Sequence, residues 1–280
     1  MVGIGSIITI CITLCISLLL PIALYVIYGI RNKGKGVWTA WLLGAAGFVV
    51  FQLCIRIPIL NVLTLNQGFQ SFAVNQYVLY CLILAFTAAL FEVAGRYIVA
   101  RILKKKMTFE RGVAAGLGHG GIEAMLLIGM AYLNNLIYAI MINTGSFAIV
   151  IEQTKATGVD VSQLVALQEQ LVTTAPGLFL LAGYERILTI IFHLAMSLLV
   201  CYYVSKQKSW QGVLICLVCH TTVDFVSPII SGLATEYFGN VISTNVSYVM
   251  IYSFLTVVAV ASIMVIIKLK KKFQEVAIVD

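Results

Sequence analysis

Two short stretches of this 280-residue chain hold side chains able to move protons in an apolar setting. FEVAGRY (Phe91 to Tyr97) carries Glu92 and Arg96, and GHGGIEA (Gly118 to Ala124) carries His119 and Glu123. A third stretch, CHTTVDF (Cys219 to Phe225), carries His220 and Asp224. Each pair is spaced i, i+4, so its two members share one face of a helix. The third histidine, His193, ends YERILTIIFH (Tyr184 to His193) and shares a face with Arg186 seven residues earlier, where Glu185 is a neighbour able to pair with Arg186. Carboxylates can take a proton from water, while imidazoles can stabilise an oxyanion or hold a metal that does so. Arg96 can keep Glu92 ionised, or grip a substrate backbone or terminal carboxylate. The chemistry these types allow is acid–base attack by water.

The elements that must position them are membrane spans. The chain is 61% hydrophobic and 10% charged, with a mean hydropathy of +1.03. Apolar stretches long enough to cross a hydrocarbon core of about 30 Å recur seven times. They cover about 3–30, 37–61, 72–100, 112–142, 177–205, 211–233 and 246–267. The fold expected is all-α, a single polytopic domain over 1–280, with the site in spans 3 to 6 (about 85–230) and spans 1, 2 and 7 accessory. Met1 to Ile10 has no Lys or Arg and the first apolar run is too long for a signal peptide, so span 1 is expected to remain as an anchor.

The net charge of +7 is not a nucleic-acid signal. Most of the 18 lysines and arginines fall in four clusters: Arg31 to Lys35, Arg101 to Arg111, Lys206 with Lys208, and Lys268 to Lys272. Three of these occupy every second loop and the fourth the C-terminal tail. The positive-inside rule then puts the N-terminus outside and the C-terminus in the cytoplasm of a cell-membrane protein. All seven cysteines lie in apolar spans, so no disulfide framework is expected.

Counting about 1.5 Å per residue from the nearest basic cluster places Glu92, His119, Glu123, His193 and His220 about 12–20 Å into the membrane. Arg96 lies at about 8 Å and Asp224 at about 24 Å on the same scale. Four helices therefore bring polar groups to one slab of the cytoplasmic half. Mutual satisfaction that locks a bundle accounts for one such pair, but less well for three pairs and a further imidazole. Along span 4, Gly112, Gly116, Gly120 and Ala124 form a small-residue stripe on which another helix can pack closely, with His119 and Glu123 one position off it. Elsewhere plainer readings are expected. Arg56 reaches for the interface, 61–71 is a short outer loop, and Asp160 with Gln163 caps a surface helix on the outer leaflet. Pro228 is placed to kink span 6 just beyond His220 and Asp224.

Several chemistries are excluded. Span 7 has no lysine for a retinal Schiff base, HExxH is absent, and no G-x-S-x-G appears. Cys216-Leu-Val-Cys219-His220 matches the haem-attachment spacing but sits inside a span, on the cytoplasmic side. A transporter or receptor using the same residues for proton relay or ligand binding is the second reading. Against it, the polar groups are not duplicated in two inverted halves.

EVAGR (Glu92 to Arg96), His119 and HTTVD (His220 to Asp224) resemble the E-x-x-x-R, F-x-x-x-H and H-x-x-x-N/D motifs of the CPBP intramembrane proteases, and more closely their YhfC-type branch. Phe91 stands where that family usually has a second glutamate, and Ala115 where its second motif has Phe. The resemblance implies an intramembrane endopeptidase acting on a membrane-associated peptide or protein. It implies Glu92 as the water-activating carboxylate, with the motif histidines completing the site. Arg96, Glu123 and Asp224 are the further catalytic candidates, Asp224 orienting His220. His119, His193 and His220 are enough imidazoles for a Zn²⁺ site. Without a metal, Glu92 acts as the base alone.

Overall fold

The computed structural model describes residues 1–277, and every regular element among them is helical. Seven helices are long and apolar enough to span a membrane, one on each expected stretch. Span 1 is Ile4–Arg31, span 2 Val37–Leu63, span 3 Tyr77–Lys106 and span 4 Phe109–Thr144. Span 5 is Pro176–Ser205, span 6 Ser209–Gly232 and span 7 Thr244–Glu275. Pro228 lies inside the continuous helix of span 6, and its carbonyl accepts a hydrogen bond from the Tyr77 hydroxyl at 2.8 Å.

The chain forms two compact units, divided inside spans 1, 4 and 5. One comprises Met1–Ala23 and Ala124–Ile187; the other comprises Leu24–Glu123 and the chain from Leu188 on. In the first, Val2, Ile10, Tyr132, Ala139, Leu171 and Phe179 form the core. The Phe179 carbonyl accepts from Thr13 Oγ1 at 2.7 Å and from the Tyr132 hydroxyl at 2.9 Å, so these two buried hydroxyls are paired. Gly145, at φ 81°, ends span 4 in the left-handed conformation that glycine adopts without strain.

Outside the spans the structure corrects two readings. Residues 61–71 are not simply a loop, because Gln67–Asn75 is helical and Asn66 caps it by accepting from the Phe69 amide at 3.1 Å. The amphipathic segment Ser162–Thr173 is helical as expected, mostly exposed, with Leu171 in the core of its unit. Asp160 does not form a capping box. Its carboxylate accepts from the Ser162 amide at 2.9 Å and the Ser162 hydroxyl at 2.7 Å, a local turn that satisfies it two residues away. The two bonds from Ser162 also hold the exposed Asp160 carboxyl below its usual pKa.

The second unit is built around close helix approaches. From Ala195 to Cys201 every residue of span 5 is buried, as a core helix requires. The first half of span 4 is clamped on both faces. A Cβ on Gly116 would lie 2.7 Å from Leu194 Cα, and one on Gly120 would lie 2.8 Å from His193 Cβ. The opposite face meets span 2, where a Cβ on Gly118 would collide with the backbone of Trp41 and Ala45. The small-residue stripe thus faces span 5, and the clamp holds His119 between two helices.

Orientation gives a direct test. From the charge pattern, the loop at Thr157 is expected outside and the tail at Gln274 inside. A cysteine introduced at Thr157 should react with an impermeant maleimide in intact cells, and one at Gln274 only after permeabilisation. Labelling of both from outside would overturn this orientation and the cytoplasmic location of the site.

Candidate active site

Glu92, Arg96, His119, Glu123, His193 and His220 are all buried and all belong to the second unit. The six meet around one carboxylate. Glu92 Oε2 lies 3.0 Å from His119 Nε2, 2.9 Å from His220 Nε2, 3.0 Å from an Arg96 terminal nitrogen and 3.6 Å from His193 Nδ1. Its other oxygen accepts from Gln52 Nε2 at 2.7 Å. Spans 2, 3, 5 and 6 and the first half of span 4 each contribute at least one of these groups. The depth estimate from sequence, which put four helices in one slab, corresponds to this arrangement.

Proton positions follow from what each partner can do. Arg96 can only donate, so His193 Nδ1, 2.6 Å away, is an acceptor. The proton of this neutral ring is then on Nε2, which lies 2.9 Å from Glu123 Oε2. His220 has a carboxylate at each nitrogen, Glu92 on one side and Asp224 Oδ2 at 3.0 Å on the other. It can donate to both only when doubly protonated. The rings also support one another. His119 stacks on His193 with centroids 5.5 Å apart, and Phe192 sets its edge against both His193 and His220.

Three neighbours were not singled out by sequence reasoning. Gln52 is a buried amide in an apolar span, in a π-helical stretch, Val49–Arg56. Phe48 packs edge-on against His119 at 5.3 Å, and Ser197 Oγ accepts from Arg96 Nε at 3.3 Å. Gln52 and Arg56 are also i, i+4, the same signal that marked the other pairs. Arg56 itself differs from the interfacial reading. It donates to the Leu84 carbonyl at 2.9 Å and approaches Gln52 Oε1 at 3.5 Å. In a low-dielectric setting a guanidinium gains more from acceptors on the adjacent helix than from an unpaired position. π-helical turns recur at functional sites because they re-aim side chains, and a second one, Ala124–Gly129, directly follows Glu123.

Ligand atoms of Glu92, His119, Glu123 and His193 lie within 4.8 Å of one another. His220 stands outside that group of four, directed to Glu92 and Asp224. Two carboxylates and two imidazoles, all buried, are donor types that zinc takes, so the residues fit a divalent cation. Glu92 Oε2 is the shared acceptor of the cluster, with three nitrogens within 3.0 Å of it. One Arg96 nitrogen, NH1, has no hydrogen-bond partner among the described residues. Beside it, a cavity of about 10 Å³ lined by Arg96, His119 and Ser197 is near the room one water needs.

The fold and the site together define a multi-pass membrane protein with a buried carboxylate–imidazole cluster. The family model described as YhfC intramembrane metalloprotease matches residues 16–243, and the chain belongs to that family. The protein described as uncharacterized membrane protein YhfC of Bacillus subtilis (strain 168) is 33% identical over 211 residues, 74% of this chain and 79% of that one. No solved structure matches.

Gln52 carries an expectation of its own. Gln52→Leu removes the donor to Glu92 Oε1 and leaves that oxygen unpaired, a loss of about 1–3 kcal/mol. Glu92 then keeps only its Oε2 contacts, and thermal stability should fall. Unchanged thermal stability would show that Gln52 only fills space.

Proposed function

We propose that this protein is an intramembrane endopeptidase that hydrolyses a membrane-associated peptide at the Glu92 cluster, from the cytoplasmic side. The observation that carries the reading is the Glu92 carboxylate ringed by three imidazoles and a guanidinium, sealed from lipid. Glu92 takes the proton of the attacking water as oxygen attacks the scissile carbonyl. His119 and Arg96, whose NH1 is unpaired, donate to the oxyanion that develops there. His220 delivers a proton to the departing amide nitrogen as the C–N bond breaks, and Asp224 holds its ring in line. A divalent cation bound by Glu92, His119, Glu123 and His193 would polarise the carbonyl and acidify water, and would replace His119 as the group that stabilises the oxyanion. The tight seams of span 4 keep these groups in register, as catalysis requires.

Proteoliposomes supplied with single-span peptides in H₂¹⁸O test this reading. Cleaved products should carry one ¹⁸O in each new carboxyl terminus. Proton or solute flux with no bond broken would instead support a transporter. Arg96→Lys should lower turnover by at least about tenfold, because one ammonium cannot serve Glu92, His193 and Ser197 together. Wild-type turnover in that variant would mean that charge alone suffices.

A further inference from the structure

At the basic end of the second unit a cavity of about 540 Å³ lies among the turn joining spans 3 and 4, the end of span 5 and the tail of span 7. Four ammonium groups line it: Lys104, Lys105, Lys206 and Lys270. None of them is ion-paired with a carboxylate among the described residues. The acid in the lining, Glu110, is already engaged, with Oε1 2.6 Å from Lys35 Nζ. Thr108 and Ser205 also line it, the Ser205 hydroxyl donating to the Tyr202 carbonyl at 2.7 Å.

The cavity has a fixed wall. Phe273 meets Phe109 edge-on at 6.2 Å and Tyr202 at 5.3 Å, which ties the tail of span 7 to spans 4 and 5. Lys272 lies 5.7 Å from the centre of the Tyr202 ring on the same seam. Three separate segments thus deliver four like charges to one concavity. A bound anion would relieve their mutual repulsion further than solvent screening does. Ordinary positive-inside lysines are spread over loops, whereas these converge on a cavity with an aromatic wall. Basic pockets between spans at the cytoplasmic surface suit anionic headgroups, and lipid phosphate is the anion concentrated there.

We propose that this cavity binds a phosphate-bearing anion, supplied by the headgroup of an anionic phospholipid in the leaflet at the basic end of the spans. The phosphate sits among the four lysines. The site is independent of the Glu92 cluster, so binding can be measured whether or not the protein hydrolyses peptides.

The test uses the full chain in neutral detergent, with native mass spectrometry reading retained lipid. Dioleoyl phosphatidylglycerol should be retained and dioleoyl phosphatidylcholine should not. Removing one lysine should weaken retention about fivefold, and the Lys206→Gln/Lys270→Gln pair about twentyfold or more. The Lys33→Gln/Lys271→Gln pair, with the same change of charge outside the cavity, should retain lipid as the wild type does. Equal loss in both pairs, or equal retention of the two lipids by the wild type, would overturn the site. Glycerol 3-phosphate provides the soluble arm. Displacement of phosphatidylglycerol by it at equal affinity would overturn the lipid source. If the cavity pair fails to fold, the two wild-type comparisons still decide.

Discussion

Glu92→Gln is expected to reduce peptide hydrolysis by at least about a hundredfold while leaving the helices in place, since a positioned base contributes about 10²–10⁴-fold. The amide is isosteric and can turn its oxygen toward Arg96, His119 and His220, which all still need an acceptor. Its NH₂ then faces Gln52, which can flip to present its own oxygen. What is lost is the ability to take a proton, together with one of the two carboxylates that could hold a cation. Glu92→Ala behaves differently. It leaves Arg96 buried without the carboxylate that pairs with it, and breaking a buried pair in this way destabilises by about 3–5 kcal/mol. A folded, inactive Glu92→Gln beside a poorly expressed Glu92→Ala would separate chemistry from structure. Appreciable hydrolysis by Glu92→Gln would remove Glu92 as the base and leave Glu123 as the remaining carboxylate of the group.

Much of this site was legible before any coordinates, for identifiable reasons. Charges within apolar spans stand out, and helical periodicity puts i, i+4 partners on one face, so Glu92 with Arg96 and His220 with Asp224 could be paired from spacing alone. Depth counted from the basic clusters then brought His193 into register. Gln52 escaped because an uncharged amide hardly interrupts an apolar run, and because the π-helical turn that aims it leaves no mark in composition. The same blindness affected Arg56, whose partner is a backbone carbonyl, a group every residue has. Asp160 was assigned the wrong partner for a related reason. Asx turns and capping boxes begin with the same residue, and only geometry shows whether the second or the third residue is bonded. The division into two units inside spans 1, 4 and 5 has no sequence signature, since hydropathy continues across it.

Chelation should abolish hydrolysis, and added zinc should restore it, with bound metal near one per chain by elemental analysis. The four-residue group supports the expectation, because exchanging either imidazole removes one of only four donors. His193→Gln should therefore lower zinc retention by more than the roughly 10–100-fold typical of residues that merely support ligands. His193 also predicts a spectroscopic change. In the present arrangement Nδ1 accepts from Arg96 and the ring proton is on Nε2, beside Glu123. An imidazole nitrogen that binds a cation must be free of its proton. For Nε2 to serve, the proton must shift to Nδ1, which then cannot accept from Arg96. Arg96 keeps its bonds to Glu92 and Ser197, so this exchange of tautomer leaves the guanidinium anchored. The ¹⁵N shifts of His193 should accordingly move from the Nε2–H to the Nδ1–H pattern on zinc addition, with His220 unchanged between its two carboxylates. Full hydrolysis after exhaustive chelation, with no metal bound and no tautomer change, would sink the zinc version and leave Glu92 as the base alone.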